Sequence, residues 1–138
     1  MKKGLLIFIV LIGLFSCEKG PGEGGTSVIE GQVYKIFTFQ NPNTGLLDTS
    51  YYQLDSGKDV FIIYSNDPQD IYNDKFETDY NGRYRFEYLR KGDYIIYTYA
   101  DSTDVDMINY DYPVFKQVTI ESNNTIKSVD DFVIERNQ

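Results

Sequence analysis

Acid–base and nucleophilic chemistry has few candidate residues in this sequence. Histidine is absent, which removes the commonest general base near neutral pH and the commonest zinc ligand. Cys17 is the single cysteine, so no internal disulfide can form. The 21 Asp and Glu residues include no pair that stands out for glycoside hydrolysis. The sequence therefore predicts a protein that is not an enzyme and needs no cofactor, with calcium as the one candidate exception.

Three aspartates in one polar stretch, Asp101, Asp104 and Asp106, are the candidate calcium ligands. We expect the acidic segment 100–109 to form a loop. Ca²⁺ takes six to eight oxygen ligands, which clustered carboxylates and backbone carbonyls can supply. The spacing differs from that of an EF-hand loop, which carries a glycine at its sixth position. Two interpretations stay open, a calcium site and an acidic loop that is only solvated.

The beginning of the chain predicts export. Two lysines precede an apolar run over residues 4–15, which is shorter than the ~20 residues that span a bilayer. The small Ser16 stands before Cys17. A basic start, a short apolar core and a small residue before the cleavage point are typical of a secretory signal peptide. We therefore expect a signal peptide over residues 1–16.

The segment 14–17 (LFSC) resembles the lipobox of bacterial lipoproteins, whose cysteine is lipidated after cleavage. The resemblance implies that Cys17 anchors an exported protein to the bacterial envelope, at the outer membrane. A plain signal peptide with an incidental cysteine is the alternative. Glu18 is similar to the acidic export signal of some Bacteroidetes lipoproteins, but Lys19 interrupts it, so the membrane leaflet stays open. Residues 17–27 are rich in glycine and charge, which predicts a flexible tether.

The remaining residues, 28–136, have the composition of a single β domain. Thirteen Tyr and nine Phe favour pleated sheet. The formal net charge of −8 argues against nucleic acid as a partner, because phosphate binding requires clustered basic residues. Turn residues separate about seven candidate strands, which predicts a β-sandwich.

The stretch from Phe76 to Tyr94 carries the clearest local signals. Asn81-Gly82 predicts a type I′ turn, in which both central residues have φ > 0. Residues 83–88 alternate charged and aromatic side chains, which is the period of a half-buried strand with Tyr84, Phe86 and Tyr88 facing inward. Residues 94–99 form the next strand, which we expect to be the antiparallel neighbour of the first.

The same stretch resembles the signature of carboxypeptidase-regulatory-like domains and the related Cna-B-type domains. The resemblance is carried by nine residues: Thr78, Asp79, Asn81, Gly82, Tyr84, Phe86, Leu89, Gly92 and Tyr94. It implies a small Greek-key β-sandwich with transthyretin-like (prealbumin-like) topology, in a Bacteroidetes-type lipoprotein.

A second aromatic surface is the candidate binding site. If residues 59–64 and 94–99 share a sheet, Phe61, Ile63, Tyr97 and Tyr99 lie on the face opposite the core. We expect residues 40–54 to fold over this face, or the face to stay exposed as a platform. Tyrosine suits both a protein partner and a glycan, because its ring is apolar and its hydroxyl polar. The sequence thus predicts a non-catalytic envelope interaction module, with a carbohydrate-binding lipoprotein of a glycan-uptake system as the alternative.

Overall fold

The computed structural model describes residues 18–103 and 106–136. That part of the chain contains eleven strands and no helix, and therefore no helix able to cross a membrane. The strands are β1 (Glu23–Ile36), β2 (Thr38–Gln40), β3 (Leu47–Thr49), β4 (Gln53–Leu54), β5 (Asp59–Ile63), β6 (Asp74–Glu77), β7 (Arg83–Leu89), β8 (Gly92–Thr103), β9 (Asn109–Ile120), β10 (Ile126–Ser128) and β11 (Phe132–Glu135). Seven of them have four or more residues. The predicted all-β sandwich is confirmed.

The first sheet is built around β1. On one edge β7 pairs with β1 in antiparallel register, and β4 adds a short antiparallel pair further along. On the other edge β10 and then β11 pair with β1 in parallel. The register with β7 shifts near Ser27, where β1 contains an irregularity. A single long strand therefore organises the whole sheet.

The second sheet is antiparallel and has the order β6-β5-β8-β9. Its β8 and β9 pair along their full length, from Gly92 opposite Ile120 to Thr103 opposite Asn109. We call the far end of this hairpin, around residues 101–111, the arm. The strands β2 and β3 form a separate two-stranded hairpin.

One core lies between the two main sheets. Its fully buried members come from alternate positions of both sheets, as the period of two requires. The first sheet contributes Ile29, Val33, Tyr84, Phe86, Phe132 and Ile134, and the second contributes Val60, Ile62, Tyr94, Ile96, Val118 and Ile120.

The predicted strand pairing around residues 76–99 is wrong. β6 and β7 lie in different sheets, and so do β7 and β8, because β7 pairs with β1 while β8 pairs with β5 and β9. The two tight turns carry the chain across the sandwich instead of reversing it within one sheet. Alternation of side chains specifies which face of a strand is buried, but the strand's neighbour depends on residues far away in the sequence.

The turn before β7 also differs from the predicted type I′ turn. Only Gly82 has a positive φ, of 68°, while Asn81 does not. The Asp79 carboxylate accepts hydrogen bonds from the amides of Asn81 (2.8 Å) and Arg83 (2.9 Å), and the Gly82 amide donates to the Asp79 carbonyl (2.9 Å). An Asx-type turn with glycine in the left-handed region results.

Two boundaries differ from the predictions. The first strand begins at Glu23, inside the stretch predicted as a tether, and we call residues 18–25 the N-terminal segment. The predicted acidic loop over 100–109 is largely strand in its described part, since β8 continues to Thr103 and β9 begins at Asn109.

Candidate functional site

Five aromatic rings gather on the outer face of the second sheet. Phe61 on β5, Tyr97 on β8 and Phe115 on β9 stand side by side across three neighbouring strands. Tyr99 lies two positions further along β8, and Tyr72 approaches from the connection between β5 and β6. We call these five residues the aromatic patch.

The rings of the patch are in mutual contact. The centroids of Phe61 and Tyr97 are 4.9 Å apart and their planes differ by 17°, so the two rings stack. Tyr99 is nearly perpendicular to both, at 5.9 Å from Phe61 and 5.8 Å from Tyr97. Phe115 lies 5.1 Å from Tyr97, and Tyr72 lies 4.9 Å from Phe61. Such packing holds the rings in place before any partner arrives.

Exposure divides the patch into a buried centre and an accessible rim. Tyr97 is 7% exposed, whereas Tyr99, Phe115 and Tyr72 are 36%, 41% and 46% exposed. Burial raises the pKa of the Tyr97 hydroxyl, and the neighbouring Tyr99 raises it further. The patch therefore offers apolar ring surface together with tyrosine hydroxyl groups. This is the chemistry of recognition by contact and hydrogen bonding.

The structure places the predicted patch residues as follows. Phe61, Tyr97 and Tyr99 meet, while Ile63 is fully buried in the same small cluster. Sequence reasoning missed Tyr72 and Phe115. Phe115 could have been found from the period of two in β9, because it has the parity opposite to that of the core residue Val118.

The expectation that residues 40–54 cover this face is wrong. Leu47 and Tyr51 are 76% and 94% exposed, and Leu46 and Tyr52 are exposed as well. Leu47–Thr49 pair with β2 in the separate hairpin instead, and Gln53–Leu54 pair with β1 of the first sheet. Tyr72, in the connection between β5 and β6, partly covers this face through its contact with Phe61.

The predicted calcium ligands are only partly described. Asp101 lies in β8, not in a loop, and its carboxylate pairs with the Arg136 Nε at 3.2 Å. Asp106 is exposed beside the gap in the described residues, and Asp104 lies outside them. Within residues 18–103 and 106–136 no group of three or more His, Cys, Asp or Glu side chains is arranged to hold a metal. Cys17 also lies outside the described residues.

A buried carboxylate that the sequence did not reveal lies near the arm. Asp55 is 2% exposed, and Arg136 donates to it at 3.0 Å while the Lys35 ammonium lies 3.6 Å away. The nearby Lys58 has a lowered pKa, because burial and the Arg136 charge both disfavour its protonated form. Since its charged partners satisfy Asp55, this network has a structural role in joining β1, β4 and the end of β11.

The outer face of the first sheet differs from the patch. Arg85 makes ion pairs with Glu30 and Glu87, and Arg85 and Glu30 border a cleft of about 620 Å³ that Asp79 and Asp131 also line. We call this surface the polar face. Arg85 is already paired with Glu30 and Glu87, whereas the aromatic patch exposes three apolar rings, which makes the patch the better candidate for binding.

Comparison with known proteins adds little. No protein-family model matches the sequence, and no curated protein matches it. Among solved structures, the chain is similar to a proposed carbohydrate-binding protein from Pseudomonas aeruginosa, with a TM-score of 0.48 and 19% identity. The alignment covers 83% of this chain and 91% of that one. A likeness at this level carries no argument about what the present chain binds.

Proposed function

We propose that this protein is a non-catalytic, lipid-anchored interaction module of the bacterial envelope, exported by residues 1–16 and anchored through Cys17. Its binding surface is the aromatic patch, and its partner is another component of the envelope. The observation that carries the proposal is the set of three rim rings, Tyr72, Tyr99 and Phe115, exposed around an immobilised centre.

The physical case rests on the cost of leaving these rings in water. Burial of apolar surface is worth roughly 25 cal/mol per Å², and aromatic side chains are enriched at the centres of protein interfaces. The patch rings are fixed by their neighbours, so a partner would lose little side-chain entropy in ordering them. The absence of histidine and of a free cysteine from the mature sequence agrees with a binding role.

Site-specific photo-crosslinking in living cells tests this proposal. The photoreactive amino acid p-benzoylphenylalanine replaces Tyr99 or Phe115 in the full chain, and Tyr88 serves as the matched control because it is 70% exposed and lies on β7 of the other sheet. We expect a discrete adduct of one envelope protein from positions 99 and 115 and none from position 88. Equal adducts from all three positions, or none from the patch, would contradict a protein-binding role.

A second candidate function is glycan binding by the same patch. Tyr99 favours it, since its ring is perpendicular to the stacked pair and the residue is 36% exposed. Against it, Phe61 and Tyr97 turn their ring faces toward each other, and those faces are the surfaces on which a sugar would stack. Retardation of the protein in gels containing envelope polysaccharides, lost in Tyr99→Ser and kept in Tyr88→Ser, would favour this candidate.

A further inference from the structure

The N-terminal segment is bound to the turn that joins β7 to β8. The Arg90 guanidinium donates hydrogen bonds to the carbonyl oxygens of Gly20 (2.8 Å), Pro21 (3.4 Å) and Glu23. The Arg90 amide donates to the Gly22 carbonyl at 2.9 Å. One arginine therefore binds four successive carbonyl groups of the segment. Charge-assisted bonds of this kind are stronger than those between neutral groups.

Packing adds to these hydrogen bonds. The Tyr94 hydroxyl accepts a bond from the Gly22 amide at 2.9 Å and donates one to the Arg90 carbonyl at 2.7 Å. The Pro21 ring lies against Gly92, whose φ is 142° and where a Cβ atom would come within 2.5 Å of the proline Cγ. Glycine at this position therefore lets the segment approach the turn closely.

The attachment begins directly after the predicted lipid anchor. Glu18 forms an ion pair with Lys91, whose hydrogen bond lowers the Glu18 pKa. In the sequence Cys17 immediately precedes Glu18. The three peptide links from Cys17 to Gly20 span at most roughly 11 Å of extended chain. A lipid on Cys17 would therefore be held close to the Arg90 turn.

The arm lies at the opposite end of the molecule. We call the end that carries the Arg90 turn the base, and the turn at residues 121–125 lies there too, since the Asn124 amide donates to the Thr26 hydroxyl at 3.0 Å. From Gly92 at the base, β8 runs to Thr103. At about 3.3 Å per residue that distance is roughly 36 Å.

We infer that the N-terminal segment is a rigid connection that holds the sandwich upright on the membrane, with the base against the lipid headgroups and the arm directed away from them. This inference rests on the lipid anchor of the proposed function. The base would contact the bilayer that holds the protein's own lipid. The chain between Cys17 and the bound segment is too short to let the base move far from that bilayer. At the base the basic Lys19 and Lys91 stand beside the acidic Glu18 and Glu121, so the lipid and not headgroup charge would hold the protein there.

Energy transfer from single labelled positions to the membrane surface tests the orientation. The full-length lipidated protein, carrying either Asn123→Cys at the base or Met107→Cys at the arm, is labelled with a donor fluorophore and inserted in phosphatidylethanolamine–phosphatidylglycerol vesicles with acceptor-labelled headgroups. The lipidated Cys17 does not react. We expect transfer from position 123 to exceed that from position 107 at least threefold, given the roughly 36 Å between the two ends.

Variants of the Arg90 contact separate a rigid connection from a flexible one. Arg90→Gln removes the bonds from the guanidinium, and we expect the difference between the two labels to fall by at least half, while the matched Arg83→Gln, at an exposed position of β7 outside this contact, keeps it. Far-UV circular dichroism confirms that each variant is folded; if Arg90→Gln is not, Pro21→Gly weakens the same contact. Equal energy transfer from positions 123 and 107 in the protein that keeps Arg90 would overturn the orientation but not the lipid anchor. Cys17→Ser protein that still binds vesicles would overturn the anchor and the orientation together.

Discussion

The two sheets share one core, but their outer faces differ in kind. On β7, charged residues alternate with core residues, and Arg85 forms exposed ion pairs with Glu87 and with Glu30 of β1. On β5 and β8, both faces are apolar, and the outer face carries the aromatic patch. A strand that alternates charged and aromatic side chains packs one face against a hydrophobic core and exposes the other face to water. A strand that is apolar on both sides needs a second cover or a partner.

Alkaline pH should give the largest effect, and it tests the tyrosines of the shared core together with Tyr97 of the patch, because tyrosines ionise there while carboxylates and arginines keep their charges. Burial, and then the Glu23 charge, raise the pKa of Tyr64 to about 12, and burial also raises those of Tyr84, Tyr94 and Tyr97. A folded-state pKa above the unfolded value of ~10 gives stability that is complete below pH ~10 and lost as the pH rises toward 12.

We therefore expect cooperative unfolding between pH ~10 and 12, followed by far-UV circular dichroism together with tyrosinate absorbance. Lys58, whose pKa is lowered, acts in the opposite direction but is one group against four. Titration of every tyrosine near pH 10 in a protein that stays folded would contradict this assignment.

Truncating one side chain on each outer face should give the next largest effect, a difference in the loss of unfolding free energy. Tyr97→Ala removes a ring that contacts Phe61, Tyr99 and Phe115 and is 7% exposed, and we expect it to lower the free energy of unfolding by about 3 kcal/mol. Arg85→Ala is the control from the polar face and should cost less than about 1 kcal/mol, since exposed ion pairs contribute little. Urea denaturation measures both, and equal losses would refute the contrast.

The smallest expected effect lies in the core behind the polar face. Tyr84 is 1% exposed, and its hydroxyl has no hydrogen-bond partner among the described residues. The ring lies over Gly31, which leaves room for it. Removing an unsatisfied buried hydroxyl should help, so Tyr84→Phe is expected to raise the free energy of unfolding by about 1 kcal/mol. Thermal and urea denaturation would detect the gain, whereas a clear loss would mean that the hydroxyl binds a buried water.

Several features could be predicted because they depend on neighbouring residues. The alternation in residues 83–88 gave the buried Tyr84 and Phe86, but its inward placement of Tyr88 was wrong, since Tyr88 has a φ of 59° and is 70% exposed. The opposite parity of Phe61, Tyr97 and Tyr99 placed them together on a second face. These inferences need only the geometry of one strand. The identity of that strand's neighbour was beyond local reasoning, and the predicted pairing of β7 with β8 was accordingly wrong.

The sequence by itself determined an all-β chain with two kinds of strand face, because side-chain parity follows from the pleat. Tertiary structure alone decided that two short turns cross between sheets, that β8 and β9 extend into an arm, and that Arg90 binds the N-terminal segment. Each of these depends on groups distant in the sequence, such as Arg90 and Gly20, which meet only when the chain has folded. Local propensity carries no information about such long-range contacts, because the packing of the whole sandwich determines them.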